Sequence, residues 1–508
     1  MKHTLKLWAP TLALVAFCVG MFSVSINAEE ISGQRFAYGL AQYEQEITLE
    51  FATTEEAEAA TVEKLEMPIG KTLAISGRWD DTNSAHFQMS ETMKKNGWKG
   101  SFYLNKCDEN YAKNIVSQFK KDGNSIGVHT LRHPHLETVV PNRVFEEIMG
   151  NRVDLETKTD MTATTFTFPF GLGKDTPESL TTAVQQGEMI IRCGLLGGPE
   201  TINMAKRMGL KSEQFVSPHR FNANDRDPNL ETFQKGWESG LKQIREGWSS
   251  CGPYMALGTH SWQTSVHKDG FERLSKILAT QANRADVWYC NSNEYTTYRL
   301  NFVQARVEKV KVEGKCATFR IYRFEPQETG AIVDMGLKAV PTPKKVACVS
   351  VSANENGKTL TVTEAGEFML PNATNQVLPA QIDRIDNPTN NVLNAETFTC
   401  NEFPGLKIAS RVNLEKNVLE MEIRNNSEKT LKNVKGHIRL PLKWKGETPC
   451  WYIPEITPSS TVKMEIALGE IDSAENLKTY ALFIDNQVDF ELGEERGRVH
   501  STVTIEQP

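Results

Sequence analysis

The chain has 508 residues, a formal charge of −7 and no long basic run, which excludes nucleic acid as its main partner. A single hydrophobic core rarely grows to this length, so several domains are expected. The nine cysteines include no CxxC pair, which argues against a cysteine-based zinc cluster.

The first residues, with Lys2 and Lys6, form a basic head, followed by an apolar stretch over 7–22 and the small-residue end Ser25-Ile26-Asn27-Ala28. That order reads as a secretory leader over 1–28, cleaved after Ala28, and predicts an exported protein. No later apolar run approaches the roughly 18 residues that a membrane span needs. Eight cysteines follow the leader, and spacing alone does not assign their pairing. Residues 29–66 are acidic and partly low in complexity; 47–51 suits a strand, and the segment reads as a flexible or edge-covering extension.

Over 67–301, short apolar runs alternate with amphipathic segments. Strand-like runs fall at 73–76, 101–104, 125–128, 164–168, 189–193, 254–257 and 287–290. Helix candidates lie at 84–95, 110–121, 141–156, 177–186, 229–246 and 271–283, while 194–228 has no regular pattern. Strands alternating with helices indicate a parallel α/β domain, and this number of repeats suits a (β/α) barrel. After Leu300 the pattern changes to alternating strands separated by Gly, Asn and Pro turns. Two β-sandwich-like modules are expected, at 302–385 and 396–508, joined by a polar linker. The fold class is therefore α/β followed by all-β.

Chemistry concentrates at one address in the α/β domain. Asp80-Asp81 follow the first strand, His129 the third, Pro169-Phe170-Gly171 the fourth, and Gly258-Thr259-His260 the strand at 254–257. Carboxyl ends of parallel strands share one face, where active sites are built. His129 and His133, four residues apart, project to the same side of a turn, and with Asp81 they offer two nitrogens and one carboxylate to a metal such as zinc. Asp80 is then placed to take a proton from a metal-bound water, and His260 to protonate a leaving group. The backbone N–H near Phe170 is a candidate oxyanion donor, and Trp262 a candidate sugar-stacking wall. Plainer roles compete with each of these. The histidines alone suit a surface loop, Asp80-Asp81 an N-cap cluster before the helix at 84, and Trp262, Trp444 and Trp451 core packing.

Here the sequence resembles the polysaccharide deacetylases (NodB-homology domain, carbohydrate esterase family 4), over roughly residues 70–300. Arg78-Trp79-Asp80-Asp81 is similar to that family's Asp-Asp motif, and His129-Thr130-Leu131-Arg132-His133-Pro134 to its His-(Ser/Thr)-x-x-His-Pro metal motif. Phe168-Pro169-Phe170-Gly171 resembles its third motif, and Leu257-Gly258-Thr259-His260 its late Leu-x-x-His. The resemblance implies a distorted (β/α) barrel and a zinc-dependent removal of N-acetyl or O-acetyl groups from a polysaccharide. In it Asp80 would be base, His260 acid, and Asp81, His129 and His133 metal ligands. Two positions depart from the pattern. Thr167 stands where the third motif carries an Arg that holds the catalytic Asp, with Arg78 or Arg132 as candidate replacements. The fourth motif, Asp-x-x-Asp-Trp, has no clean match, Asn224-Asp225-Arg226-Asp227 being the nearest. Two rival readings follow: a glycan-binding protein that keeps the barrel without turnover, and a metal-dependent hydrolase of another amide or ester.

Overall fold

Four strands that are buried on both faces build the α/β domain. Leu73–Asp80, Gly100–Leu104, Ser125–Val128 and Tyr254–Leu257 are buried along their whole length, as strands are when both faces of a parallel sheet are covered. In this computed structural model they join Ile190–Ile191, Thr165–Phe166, His219–Phe221 and Val287–Tyr289 in one sheet, every pairing parallel. Among the described residues no pairing joins its two edge strands, Ile190–Ile191 and His219–Phe221, so the sheet is an open half-barrel. The described residues are 36–37, 40–139, 141–171, 190–191, 219–221, 223, 227–247, 252–258, 260–349, 358–372, 381–387, 398–399, 405–413, 416–440, 444–445, 450–468, 470–471 and 482–505. The expected leader, the helix candidate at 177–186 and nearly all of the patternless 194–228 lie outside them.

The helices expected at 84–95 and 229–246 are Ala85–Lys95 and Leu230–Arg245, and that expected at 271–283 is Gly270–Ala279. The runs at 109–121 and 141–159 are helical throughout, each interrupted by a π turn, Ala112–Val116 and Glu146–Gly150. The strand expected at 73–76 continues to Asp80. Arg78 and Asp80 lie on one face two residues apart and pair with each other, so the polar end can enter the interior.

Within the expected extension at 29–66, the described residues 40–64 are built into the fold rather than laid loosely over it. Leu40–Glu50 is an interior strand of the next sheet, paired on one side with Cys316–Phe324 and on the other with Lys345–Val349. Tyr43, Gln45, Ile47 and Leu49 face inward while Glu44, Glu46 and Thr48 are half-buried, so the acidic residues of this strand are the outer half of a period of two, and the low-complexity run at 55–60 falls largely in the short helix Thr54–Ala59. Thr61–Lys64 likewise pairs with Met335–Val340, and one apolar core joins both sheets. The expected linker also begins as structure: Gln381–Asn387 pairs in parallel with Glu495–Ile505. The C-terminal unit contains a five-stranded and a four-stranded sheet on one apolar core, in which Trp451 is buried.

That unit meets the α/β domain through buried charges. Arg152 and Glu156 of the helix Asn151–Thr159 face Arg498 and His500 of Glu495–Ile505, and Asp485 of Leu482–Leu492, all five without solvent exposure. His500 donates from Nε2 to Glu156 (2.7 Å) and from Nδ1 to Asp485 (2.9 Å), while Arg498 clasps Asp489 with contacts of 2.6 and 3.0 Å. Arg439 reaches Asp485 at 3.4 Å, and Arg152 reaches Gln487 at 3.4 Å. Burial alone works to raise Glu156, but the charges of Arg152, Arg498 and His500 hold it well below its ordinary 4.5. Burial alone works to lower His500, but Asp485 and Glu156 carry it above 6.5.

The signs set a window. Glu156 stabilises the fold above its unfolded value and loses that contribution as pH falls through its depressed folded value. His500 contributes fully below its unfolded value and loses that as pH rises through its raised folded value. The interface is therefore most stable between the ordinary values of 4.5 and 6.5. Thermal midpoints across pH should fall on both sides of this interval, and His500→Gln should remove the alkaline fall. An unchanged alkaline limb in that variant would contradict the assignment.

Candidate metal centre

Parallel strands deliver the chemistry to one face. Asp80 ends Leu73–Asp80, His129 directly follows Ser125–Val128, Thr167 directly follows Thr165–Phe166, and His260 stands three residues beyond Tyr254–Leu257. Asp81, Thr130, His133 and Phe170 all carry positive φ, of 70°, 69°, 56° and 56°. Residues other than glycine pay for that conformation, and such strain concentrates at functional sites. Gly258 has φ 103°, and a Cβ there would lie 2.3 Å from the Trp79 ring, so only glycine lets this chain pass.

Three side chains converge. Asp81 Oδ1 lies 3.5 Å from His129 Nε2 and 3.3 Å from His133 Nε2, and the two Nε2 atoms are 3.2 Å apart. Ligands about 2.0–2.2 Å from a tetrahedral zinc sit roughly 3.4 Å from one another, so the three atoms already have the spacing of one face of such a site. His129 Nδ1 donates to the Thr167 carbonyl at 2.8 Å, which leaves Nε2 as the ring's lone-pair nitrogen. The His129 backbone N–H donates to Asn151 Oδ1 at 3.1 Å, and Asn105 Nδ2 donates to the His129 carbonyl at 2.7 Å. His133 N–H donates to Thr130 Oγ1 at 3.1 Å and closes the turn. Burial works to raise the Asp81 carboxyl, but the His129 hydrogen bond and the charges of His129, His260 and His133 hold it below its ordinary 3.8. Burial lowers His133 and favours its neutral form, the form that ligates metals. A cation on this face needs Asp81 ionised and both imidazoles neutral at Nε2.

Around these three the remaining residues take distinct places. Asp80 is almost fully buried and paired through Oδ2 to Arg78, while its Oδ1 has no hydrogen-bond partner among the described residues. Arg132, the other candidate replacement, is engaged elsewhere, with Nη1 on Glu147 at 2.7 Å. His260 Nε2 lies 3.6 Å from Asp81 Oδ2. Phe170 is 58 % exposed; its ring stacks on His135 at 4.3 Å and meets His133 edge-on at 4.4 Å. Trp262 is 43 % exposed, 5.8 Å from His260. Two exposed aromatic rings thus neighbour histidines of the cluster. The helix Ala85–Lys95 is preceded by Ser84 rather than by an Asp80-Asp81 cap. Asp227 pairs at the surface with Arg273, and 224–226 lie outside the described residues. Glu294 caps its helix through the Asn291 box, and Tyr298 donates to the Leu65 carbonyl.

Asn105, Asn151 and Glu147 support the histidine loop without any signal in the sequence, since neither asparagine belongs to a pattern and both act across more than twenty residues. Residues 72–187 match the family model for polysaccharide deacetylase. The resemblance read from the motifs holds for that segment, which contains Asp80, Asp81, His129 and His133 within a much longer chain. Similar solved structures include a family 4 acetyl xylan esterase from Clostridium thermocellum holding a cobalt ion, 16 % identical with a TM-score of 0.29. It covers 44 % of this chain and 90 % of its own. The Xyl-CE4 domain of a multidomain xylanase from the Trinervitermes trinervoides hindgut metagenome is 11 % identical, covering 44 % and 90 % with a TM-score of 0.29. A mutant of BA3943, a CE4-family pseudoenzyme with restored activity, is 13 % identical, covering 44 % and 68 % with a TM-score of 0.29. No curated protein sequence matches the chain. Among the described residues no helix is long and apolar enough to cross a membrane.

Proposed function

We propose that the protein is an exported, metal-dependent deacetylase that hydrolyses N-acetyl or O-acetyl groups of a polysaccharide. The observation that carries this is the face formed by Asp81, His129 and His133, with its 3.2–3.5 Å spacing, beside an Asp80 oxygen that has no hydrogen-bond partner among the described residues. Asp81 Oδ1 and the two Nε2 atoms would hold a divalent cation, zinc suiting two imidazoles and one carboxylate best. Such a cation supplies polarisation of the acetyl carbonyl and lowers the pKa of its water to roughly 7.

The chain's own groups do the rest. Asp80 Oδ1 accepts the water's proton while Arg78 keeps Oδ2 occupied and the carboxylate oriented. The Phe170 backbone N–H, in its strained turn, stabilises the developing oxyanion. His260 gives a proton to the departing amine or hydroxyl, and Phe170 and Trp262 flank the sugar. We read the two C-terminal units as β-sandwich-like modules, supported by paired sheets on shared cores. Export rests on the leader at 1–28.

Acetate release from N-acetylglucosamine oligomers and from acetylated xylan tests the reading. The wild type should release acetate from at least one of them, and His260→Ala should slow release by about 10²–10⁴-fold, the usual range for one acid or base, at unchanged metal content. A wild type that retains these glycans but releases no acetate favours the non-catalytic binder, the reading that Thr167 and the missing fourth motif support.

A further inference from the structure

The His129 loop rests on the helical run at 141–159. Asn151 accepts from the His129 backbone, Glu147 accepts from Leu131 N–H through its carbonyl at 3.0 Å, and the Glu147 carboxylate takes Arg132 N–H at 2.8 Å. Leu131 packs against the run so closely that a Cβ on Gly150 would lie 3.0 Å from it. The π turn Glu146–Gly150, a feature often found at functional sites, is the part of the run that meets the loop.

One turn farther along, Glu156 faces the other way, into the C-terminal unit. Its Oε2 accepts from His500 Nε2 at 2.7 Å and lies 3.6 Å from Arg498 Nη1. Its Oε1 accepts from Arg152 at 3.0 Å and from the Ala163 backbone N–H at 2.9 Å. Ala163 leads into Thr165–Phe166, and the next residue, Thr167, supplies the carbonyl that fixes the His129 ring. Two of the supports of His129 therefore flank Glu156: Asn151 lies on its own helix, and Thr167 directly follows the short strand that the tethered Ala163 leads into.

We propose that Glu156, held by His500 and Arg498, is a positioning residue for His129, so that the C-terminal β unit is part of the support of the metal centre and not a detachable module. The inference rests on the reading of His129 as a ligand. Partners one step behind a metal ligand typically change affinity by about 10–100-fold when lost.

Zinc affinity of the full chain, measured by chelator competition, tests it with the wild type, Glu156→Ala, Glu156→Gln and Lys435→Met. The last breaks a buried pair between the C-terminal unit and the 302–385 module, Lys435 with Glu325, rather than one on the helix of Asn151. Folding of each variant is checked by circular dichroism. Glu156→Ala should bind zinc more weakly, by up to about 10-fold because it acts one step behind the direct partners Asn151 and Thr167, Glu156→Gln should recover part of the loss, and Lys435→Met should match the wild type. A folded Glu156→Ala with wild-type affinity, or an equal loss in Lys435→Met, overturns the proposal. Should Glu156→Ala not fold, His500→Gln replaces it and should also bind more weakly; wild-type affinity there overturns the proposal equally. A wild type that takes up no zinc removes the metal reading itself, a result distinct from the others.

Discussion

Asp80→Asn should lower acetate release by about 10²–10⁴-fold while metal content stays at the wild-type level. The amide has the size of the carboxylate and can still accept from Arg78, so the buried pocket keeps its shape. What it loses is an oxygen able to take a proton, and Asp80 Oδ1 is the buried oxygen left without a partner among the described residues. A buried acceptor without a partner calls for a reason, and a water to be deprotonated supplies one. The charge of Asp80 is felt at His133, which places it beside the ligand set. Acetate release and zinc content measured on the same preparation separate base from ligand. Loss of metal along with activity would make Asp80 part of the metal's hold, and undiminished release would remove it from the chemistry.

The second large effect is on stability. Arg78→Ala should destabilise the fold by ~3–5 kcal/mol, the range for stranding one member of a buried pair. Arg78 and Asp80 are 5 % and 4 % exposed, on one strand buried from end to end, so water cannot take over the lost contact. Because the cost lies in the uncompensated carboxylate, Asp80→Asn combined with Arg78→Ala should cost much less than Arg78→Ala alone. Urea unfolding of the two single variants and the double variant provides the comparison. Strict additivity would mean that the pair contributes nothing as a pair. The same geometry bears on Thr167: the arginine expected two residues before Pro169 is absent, and the guanidinium on Asp80 comes from its own strand.

Much of this centre was legible because its residues follow strands. His129, Asp80 and Asp81 stand at the carboxyl ends of apolar runs, and parallel pairing brings such ends together whatever their separation in sequence. Local motif spacing added His133. The supports were not legible: Asn105, Asn151 and the Thr167 carbonyl act through contacts between residues far apart in sequence, and a backbone carbonyl leaves no trace in residue type. The strand Leu40–Glu50 was obscured by its acidic outer face, although its inner face alternates cleanly. The interface of Glu156 and His500 was hidden for a related reason, since charged residues on a helix and a strand ordinarily read as solvated.

Whether Asp81, His129 and His133 form a metal site is read most directly from the metal content of the purified full chain beside His129→Ala, before and after incubation with zinc. About one tightly held divalent ion per wild-type chain is expected and none in the variant, whose remaining Asp81 and His133 leave the tetrahedral face incomplete. A wild type that neither carries nor takes up a divalent ion, or a His129→Ala protein that binds one equally tightly, would contradict this expectation.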